Sequence, residues 1–403
     1  MKKVSTLIFL LIGIHLYAFA EKEPYAFYLT WEEDPTSTIV IDWHEDKTTS
    51  APLYFKEQDH SSWKIFFSKV SPYPFASRNV HRVSLYGLEE NTTYEIKFSE
   101  SGEVYHFKTM PDNLDRHPVR IAIGGDAMHQ KASFEKMNRV VAAYEPDFVI
   151  IGGDMAYENG AAENVQRIFD WFEAYSTTLV TENNRILPCL VAAGNHEVVG
   201  GYYSKHEDYE QEDSFRAKIA PYFYALFAFP GQPGYNVLDF GNYLSLIILD
   251  TEHSNPIEGT QTEWLKEVFE SREDVLHKIP IYHVPAYPSV REYNGHVQTL
   301  VREIWTPIFE ENNVRIAFEN HDHAYKRTFP IKDMKLDPDG IVYVGDGSWG
   351  VEPRPIHEVS ETWYLEKGMQ VRAFTFLTLA CDSFKFISID EEGEVIDDYS
   401  YPN

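Results

Sequence analysis

With 403 residues, 43% of them hydrophobic and 15% aromatic, the chain is too long for one small core and apolar enough to fill two. That composition excludes a disordered polymer. The net charge of −28 repels phosphate backbones and argues against nucleic acid as a main partner, so an anionic ligand would need a locally positive site.

The amino end, MKKVSTLIFLLIGIHLYAFA, joins Lys2 and Lys3 to a nearly unbroken apolar run ending in Ala18-Phe19-Ala20, the pattern of a secretory signal over residues 1–20. The run is short for a membrane span and contains His15, and no later segment approaches the length of a transmembrane helix. The mature chain is therefore expected to be soluble and secreted or periplasmic, with no membrane partner. Losing Lys2 and Lys3 takes its charge to −30. The only cysteines, Cys189 and Cys381, cannot form a disulfide framework; Cys189 in ILPCLVAAG reads as a small buried hydrophobe, and a single bridge to Cys381 stays open.

Residues 21–111 read as all-β. TSTIVIDWH, APLYFKE, WKIFFSK, HRVSLYGL, TTYEIKF and VYHFKTM are short alternating or aromatic runs divided by turn residues. The segment from Leu85 to Tyr94, followed by Phe107-Lys108-Thr109, resembles the end of a fibronectin type III sandwich. Nothing here gathers potential ligands, so the unit reads as structural or substrate-shaping. MPDNLDRHP, from Met110 to Pro118, is a polar, proline-bracketed linker.

From residue 112 to 403 the pattern changes to α/β. VRIAIGGD, PDFVIIGGD, LPCLVAAGNHE, KIPIYHVP and VRIAFENHDH are buried-type strands running straight into polar residues. Between them lie helical stretches. KASFEKMNRVVAAYE puts Phe134, Met137, Val140, Val141 and Tyr144 on one face, and GTQTEWLKEVFESRE opens with Thr260 and Glu263 at capping-box spacing. Strand and helix alternate, so active residues belong at the carboxyl ends of the strands.

Each of those strand ends carries metal-type donors: Asp126; Asp154 with Tyr157; Asn195 with His196; His283; and His321 with His323. An isolated Gly-Gly-Asp is usually a turn with a solvated carboxylate. Five such ends in succession require another explanation, because buried carboxylates and imidazoles cost several kcal/mol each unless paired or liganded. A metal site is the expectation.

The series Gly125-Asp126, Gly153-Asp154-Met155-Ala156-Tyr157, Gly194-Asn195-His196-Glu197, His283-Val284-Pro285 and His321-Asp322-His323 resembles the calcineurin-like metallophosphoesterases, and within them the purple acid phosphatases. Gln261-Thr262-Glu263-Trp264-Leu265, Tyr343-Val344-Gly345-Asp346-Gly347 and Gly393-Glu394-Val395-Ile396-Asp397 extend the resemblance over almost the whole mature chain. It implies a layered α/β sandwich with mixed β-sheets behind a small all-β fibronectin-like domain. It also implies one metal held by Asp126, Asp154, Tyr157 and His323, and a second by Asp154, Asn195, His283 and His321, with Asp154 bridging. A phenolate with carboxylates suits Fe(III); two imidazoles with an amide oxygen suit Zn(II), Mn(II) or Fe(II).

By the same resemblance His196 is an outer-sphere histidine that contacts phosphate, and His296 in Tyr293-Asn294-Gly295-His296 is the candidate general acid. Asn320 stands where the family has glycine and is expected to keep the turn by taking positive φ. Asp322 is expected to face solvent, or else to reach an imidazole N–H. His129 and His253 have no assigned role. The implied activity is hydrolysis of small phosphomonoesters. The alternatives are a phosphodiesterase or nucleotide pyrophosphatase on the same metals, selected by loops such as GYYSKHEDYEQEDSF and VEPRPIHEVSETWY, and a non-catalytic surface protein with a degenerate fold. The sequence sets neither the oligomeric state nor the physiological substrate.

Overall fold

A computed structural model describes residues 23–402 apart from Asp346 and Asp382. The signal at residues 1–20 and the Asp346 of the family-like YVGDG segment lie outside the described residues. Among those described, no helix is long and apolar enough to cross a membrane.

The amino-terminal part is a two-sheet antiparallel sandwich. One sheet runs Ala26–Thr30, Thr38–Glu45, Asn79–Tyr86, Lys69–Pro72; the other runs Lys64–Phe67, Pro52–Glu57, Thr93–Lys97, Tyr105–Lys108. WKIFFSK, read as one strand, is two. The chain leaves one sheet after Phe67 and joins the other at Lys69, with Ser68 buried at the crossover and its hydroxyl accepting from the Ala51 N–H. Ala26–Thr30 is a further strand that alternation did not mark, since all five of its residues are buried.

Two larger sheets follow. The first places Cys189–Val191, Phe148–Ile151 and Val119–Gly124 side by side and parallel, then adds Ala373–Ala380, Ser383–Asp390 and Val395–Pro402 in antiparallel fashion. The second runs Asn236–Phe240, Leu244–Ile248, His277–Ile281, Ile316–Glu319, Val342–Gly345, Tyr325–Thr328, Leu365–Met369, with a parallel centre. Parallel strands buried on both faces read as unbroken apolar runs, which is why these were legible in the sequence. The five donor-bearing strands divide between the sheets, three in the first and two in the second, so the site is made where their carboxyl ends meet.

Two helices cover the sheets as their apolar spacing predicts. Lys131–Ala143 buries Phe134, Met137 and Val141, with Val140 and Tyr144 partly covered. Thr260–Glu270 buries Leu265, Val268 and Phe269. The expected capping box does not form. Gly259, at φ 82°, occupies the N-cap with no side-chain cap, and Thr260 is already inside the helix. Buried Gln261 pins the preceding loop instead, accepting from the Asp250 N–H at 2.8 Å and donating to the Asp250 and Pro256 carbonyls. Cys189 is buried as read, and no disulfide joins it to Cys381.

The sandwich and the larger sheets share one core. Leu29 and Trp31 belong to the same apolar cluster as Phe148 and Phe240, with the Trp31 ring edge-on to Phe148 at 5.5 Å. His44 lies in a second contact between the two parts, among Tyr28, Tyr73 and Phe172, with neither ring nitrogen hydrogen-bonded. Burial lowers its pKa from 6.5 to about 3. The unfolded chain therefore takes up this proton first: the contribution is complete above pH 6.5 and is lost as pH falls toward 3, by about 2 kcal/mol between pH 7 and pH 5. Replacing His44 by Phe should flatten the decline of melting temperature over that interval. Parallel pH profiles for the two proteins would clear His44 of the effect.

Candidate metal centre

Three of the five strand ends deliver their donors through strained turns. Asp126, Asp154, Tyr157, His321 and His323 all have positive φ, between 52° and 80°, a region that costs non-glycine residues on the order of 1 kcal/mol or more each. The turn reverses the chain at once and aims each side chain back toward the ends of the sheets. The result is two buried donor groups sharing Asp154: Asp154, His283 and His321, and Asp126, Asp154 and His323, with the donor atoms of each group within 4.8 Å of one another.

Tyr157 and Asn195 complete the two groups. The Tyr157 hydroxyl donates to Asp126 Oδ1 at 3.0 Å and lies 3.0 Å from His323 Nε2, which is itself 3.0 Å from Asp126 Oδ1. On the other side His283 Nε2 is 3.3 Å from Asp154 Oδ2, 3.3 Å from Asn195 Oδ1 and 3.0 Å from His321 Nδ1. His283 Nδ1 lies 2.9 Å from the Gly152 carbonyl, an acceptor only, so Nδ1 carries a proton. In the neutral ring Nε2 is then a lone pair facing a carboxylate oxygen, an amide oxygen and another imidazole nitrogen. With His283 Nε2 and His321 Nδ1 both unprotonated these are converging acceptors, which fit a cation, and edges of 3.0–3.3 Å suit ligands about 2 Å from a shared ion. The residues present therefore fit the dinuclear centre that the resemblance implies.

The electrostatics agree. Burial opposes ionisation of Asp154, but the imidazole of His283 outweighs it and holds the carboxyl well below the usual range. His283 is pulled up to about 9 against its own burial by Asp154 and Asp126. His321 goes the other way, far below 6.5, through burial and the neighbouring His283. The pocket is deficient in positive charge at its carboxylates and holds one imidazole ready as a neutral ligand.

Two buried glutamates fix the loops, and neither was assigned a role from the sequence. Glu197 accepts from the N–H groups of Asp154 and Met155 at 2.8 Å and of Gly194 at 2.7 Å, binding the Asp154 loop to the Asn195 loop. Glu319 accepts from the Tyr282 hydroxyl and the Ala286 N–H, both at 2.6 Å, and pairs with fully buried Lys326, which ties the His283 loop to the last donor strand. Apart from Gly194 and Lys326 their partners lie more than thirty residues away, so local spacing does not mark the loops they join.

His196 lies at the mouth. Its N–H donates to Asp154 Oδ1 at 2.8 Å, its ring faces that of Tyr157 at 4.3 Å, and its Nδ1 bonds to Asn159 Oδ1 at 2.5 Å. That bond puts the proton on Nδ1 and leaves Nε2 free, 4.0 Å from Asp154 Oδ2. His296 is exposed at the start of the helix His296–Leu300 and lines a cleft of about 300 Å³ with Tyr202, Lys205, Glu252 and Val284, the residue after His283. Among the described residues it makes no hydrogen bond or ring contact with the seven donors. His129, exposed, sets its ring 4.4 Å from Tyr157. His253 is buried 5.4 Å behind His283 with both nitrogens engaged, by Gly201 O and the Thr251 hydroxyl.

Two expectations are corrected. Asp322 does not face solvent. It is fully buried, and Oδ2 accepts from the N–H groups of Val290 at 2.7 Å and Arg291 at 3.1 Å, which organises that loop. Nor does Asn320 take positive φ; His321 and His323 do. Asn320 instead lays its amide across two bare glycines and donates to Tyr282 O at 2.9 Å. A Cβ on Gly152 would lie 2.0 Å from its Nδ2, and one on Gly125 2.4 Å from its Oδ1. Gly152→Ala should destabilise the fold by about 1–3 kcal/mol through this overlap. Adding Asn320→Gly should recover part of that loss in urea denaturation, whereas strictly additive costs would show that the two sites do not meet.

Comparison with known proteins follows the same division of the chain. The family model described as calcineurin-like phosphoesterase matches residues 119–325, and that of the purple acid phosphatase N-terminal domain matches residues 24–109. Purple acid phosphatase 22 of Arabidopsis thaliana is 24% identical over 315 residues, 75% of this chain and 66% of its own length. Purple acid phosphatase 23 from the same plant is 26% identical over 310 residues, 68% of this chain and 63% of its own. The chain spans 57–66% of the length of the first three such relatives. Among solved structures, a purple acid phosphatase from yellow lupin (Lupinus luteus) seeds superposes with a TM-score of 0.76 at 18% identity, covering 94% of this chain and 74% of that one. PhoD gives 0.70 at 13%, covering 94% and 93%. At these identities the structural likeness shows the fold alone.

Proposed function

We propose that this chain, which belongs to the calcineurin-like phosphoesterases and carries the purple acid phosphatase amino-terminal domain, is a secreted dinuclear metallohydrolase of small phosphomonoesters. The observation that carries the reading is the meeting of seven donor residues from five strand ends in two groups joined at Asp154. Asp126, Asp154, Tyr157 and His323 would hold Fe(III), since a phenolate with two carboxylates is a hard anionic set. Asp154, Asn195, His283 and His321 would hold Zn(II), Mn(II) or Fe(II). Bound there, two cations would supply Lewis acidity toward a phosphoryl group and lower the pKa of a coordinated water.

The chain's own residues do the rest. Glu197 and Glu319 keep the four loops in register, so the donors are preorganised rather than assembled on binding. Asn159 fixes the tautomer of His196 and presents Nε2 toward a bound phosphate oxygen, where an imidazolium proton would stabilise added negative charge. His296, exposed in a cleft that reaches Val284, the residue after His283, is the candidate to protonate the leaving alkoxide.

Metal analysis with an absorption spectrum tests the centre. Two metals per chain and a tyrosinate-to-iron band, absent in Tyr157→Phe, are the expected result; a colourless, metal-free protein would sink the reading. For His296→Ala, turnover of p-nitrophenyl phosphate should fall about 100-fold while both metals stay bound, the scale of a lost general acid. Undiminished turnover would assign the proton to another group.

A further inference from the structure

Two arginines flank the metal centre without entering it. Arg291 Nη2 and Arg354 Nη1 each donate to the His321 carbonyl at 3.5 Å, from opposite loops. His321 presents its imidazole to the donor group and its carbonyl to the guanidiniums, so the two positive groups lie one residue's width from the metal ligands. The loops are bound to each other: the His357 N–H donates to Ser289 O at 2.7 Å, and His357 Nε2 donates to Arg291 O at 2.9 Å. The Arg354 N–H donates to His323 O at 2.8 Å, which sets that loop directly on the last donor strand.

The charge here is only half neutralised. Among the described residues Arg291 has one carboxylate partner, Asp322, at 3.3 Å from Nε. Among the described residues Arg354 has no acidic partner, although the chain carries 63 acidic residues against 35 Lys and Arg. The nearest carboxylates along its loop are used elsewhere: Glu352 pairs with Arg372 at 2.8 Å, and Glu358 accepts from Ser360. Two guanidiniums drawn to one carbonyl repel each other, and holding them so in a strongly acidic protein makes sense if an anion completes the arrangement.

We infer that Arg291 and Arg354 form a subsite for a second anionic group on the substrate, a phosphoryl group above all, beside the phosphoryl group that is cleaved. Planar guanidiniums bind phosphoryl oxygens in pairs, so the subsite selects molecules with two phosphoryl groups over simple monoesters. The inference rests on the phosphohydrolase reading only for where the scissile group lies.

Calorimetry on the metal-loaded full chain tests it with non-hydrolysable probes: propylphosphonate, propane-1,3-bisphosphonate and methylenebisphosphonate. The wild type should bind at least one bisphosphonate 10-fold or more tightly than propylphosphonate. Preference for the methylene bridge marks phosphoanhydride substrates, and preference for the propane bridge marks bisphosphate esters. Arg354→Gln should reduce that preference to within twofold, and Arg291→Gln should do the same although it also releases Asp322. Equal affinity for mono- and bisphosphonates in the wild type, or an undiminished preference in Arg354→Gln, would overturn the subsite. A wild type that keeps the preference yet hydrolyses no phosphate ester would overturn the proposed reaction and leave the subsite standing.

Discussion

Everything in this structure answers one electrostatic problem: carboxylate, phenol, amide and imidazole acceptors crowded into a buried pocket around Asp154. Its two oxygens face different neighbours. Oδ1 accepts from the His196 N–H, and Oδ2 looks at His283 Nε2. Such a cluster has few internal donors beyond the Tyr157 hydroxyl and the His321 N–H, both given to Asp126, and desolvation makes each unmatched lone pair costly. A cation in each group would turn mutual repulsion into attraction, which is the simplest physical reason for a fold to tolerate it.

Holding the donors together takes structure well beyond them. The left-handed turns at five of the seven donors are unfavourable alone, and they persist because neighbouring elements over-determine them. Glu197 does this for the first sheet by collecting three buried N–H groups, and Glu319 with Lys326 does it for the second. Asn320 joins the two sheets from the middle, its amide filling the space that Gly125 and Gly152 leave open. A glycine at 320 would leave that space empty, so the departure from the family pattern is a packing solution rather than a defect.

Charge is distributed with the same economy. A protein of net charge −28 would repel phosphate esters at a distance, so attraction has to be local. The metal groups are one focus, and Arg291 with Arg354, seated on the far side of His321, are a second. The amino-terminal sandwich contributes no donor. Its Leu29 and Trp31 run into the same core as Phe148 and Phe240, so it buttresses the first sheet whose strand ends carry Asp126, Asp154 and Asn195.

What the sequence determined by itself was the fold class and the order of candidate donors along the chain. Buried parallel strands are unbroken apolar runs, and a strand that stops at Gly-Asp or Asn-His announces both its end and a candidate donor, so five strands and seven candidate donors could be read one at a time. Local pattern failed where a residue's environment comes from elsewhere. Alternation did not reveal the fully buried strand Ala26–Thr30, capping spacing at Thr260 was overruled by Gly259, and Asp322 was read as solvated because its partners, the Val290 and Arg291 N–H groups, lie some thirty residues away. Glu197, Glu319 and the two arginines were silent for the same reason: a glutamate that binds three backbone N–H groups looks like any other until the loops that supply them are brought together. Only the tertiary structure decided which donors share a group, which carboxylates are anchors, and that Arg354 is left without a counter-charge among the described residues, because each is a property of distances between segments that the chain itself keeps far apart.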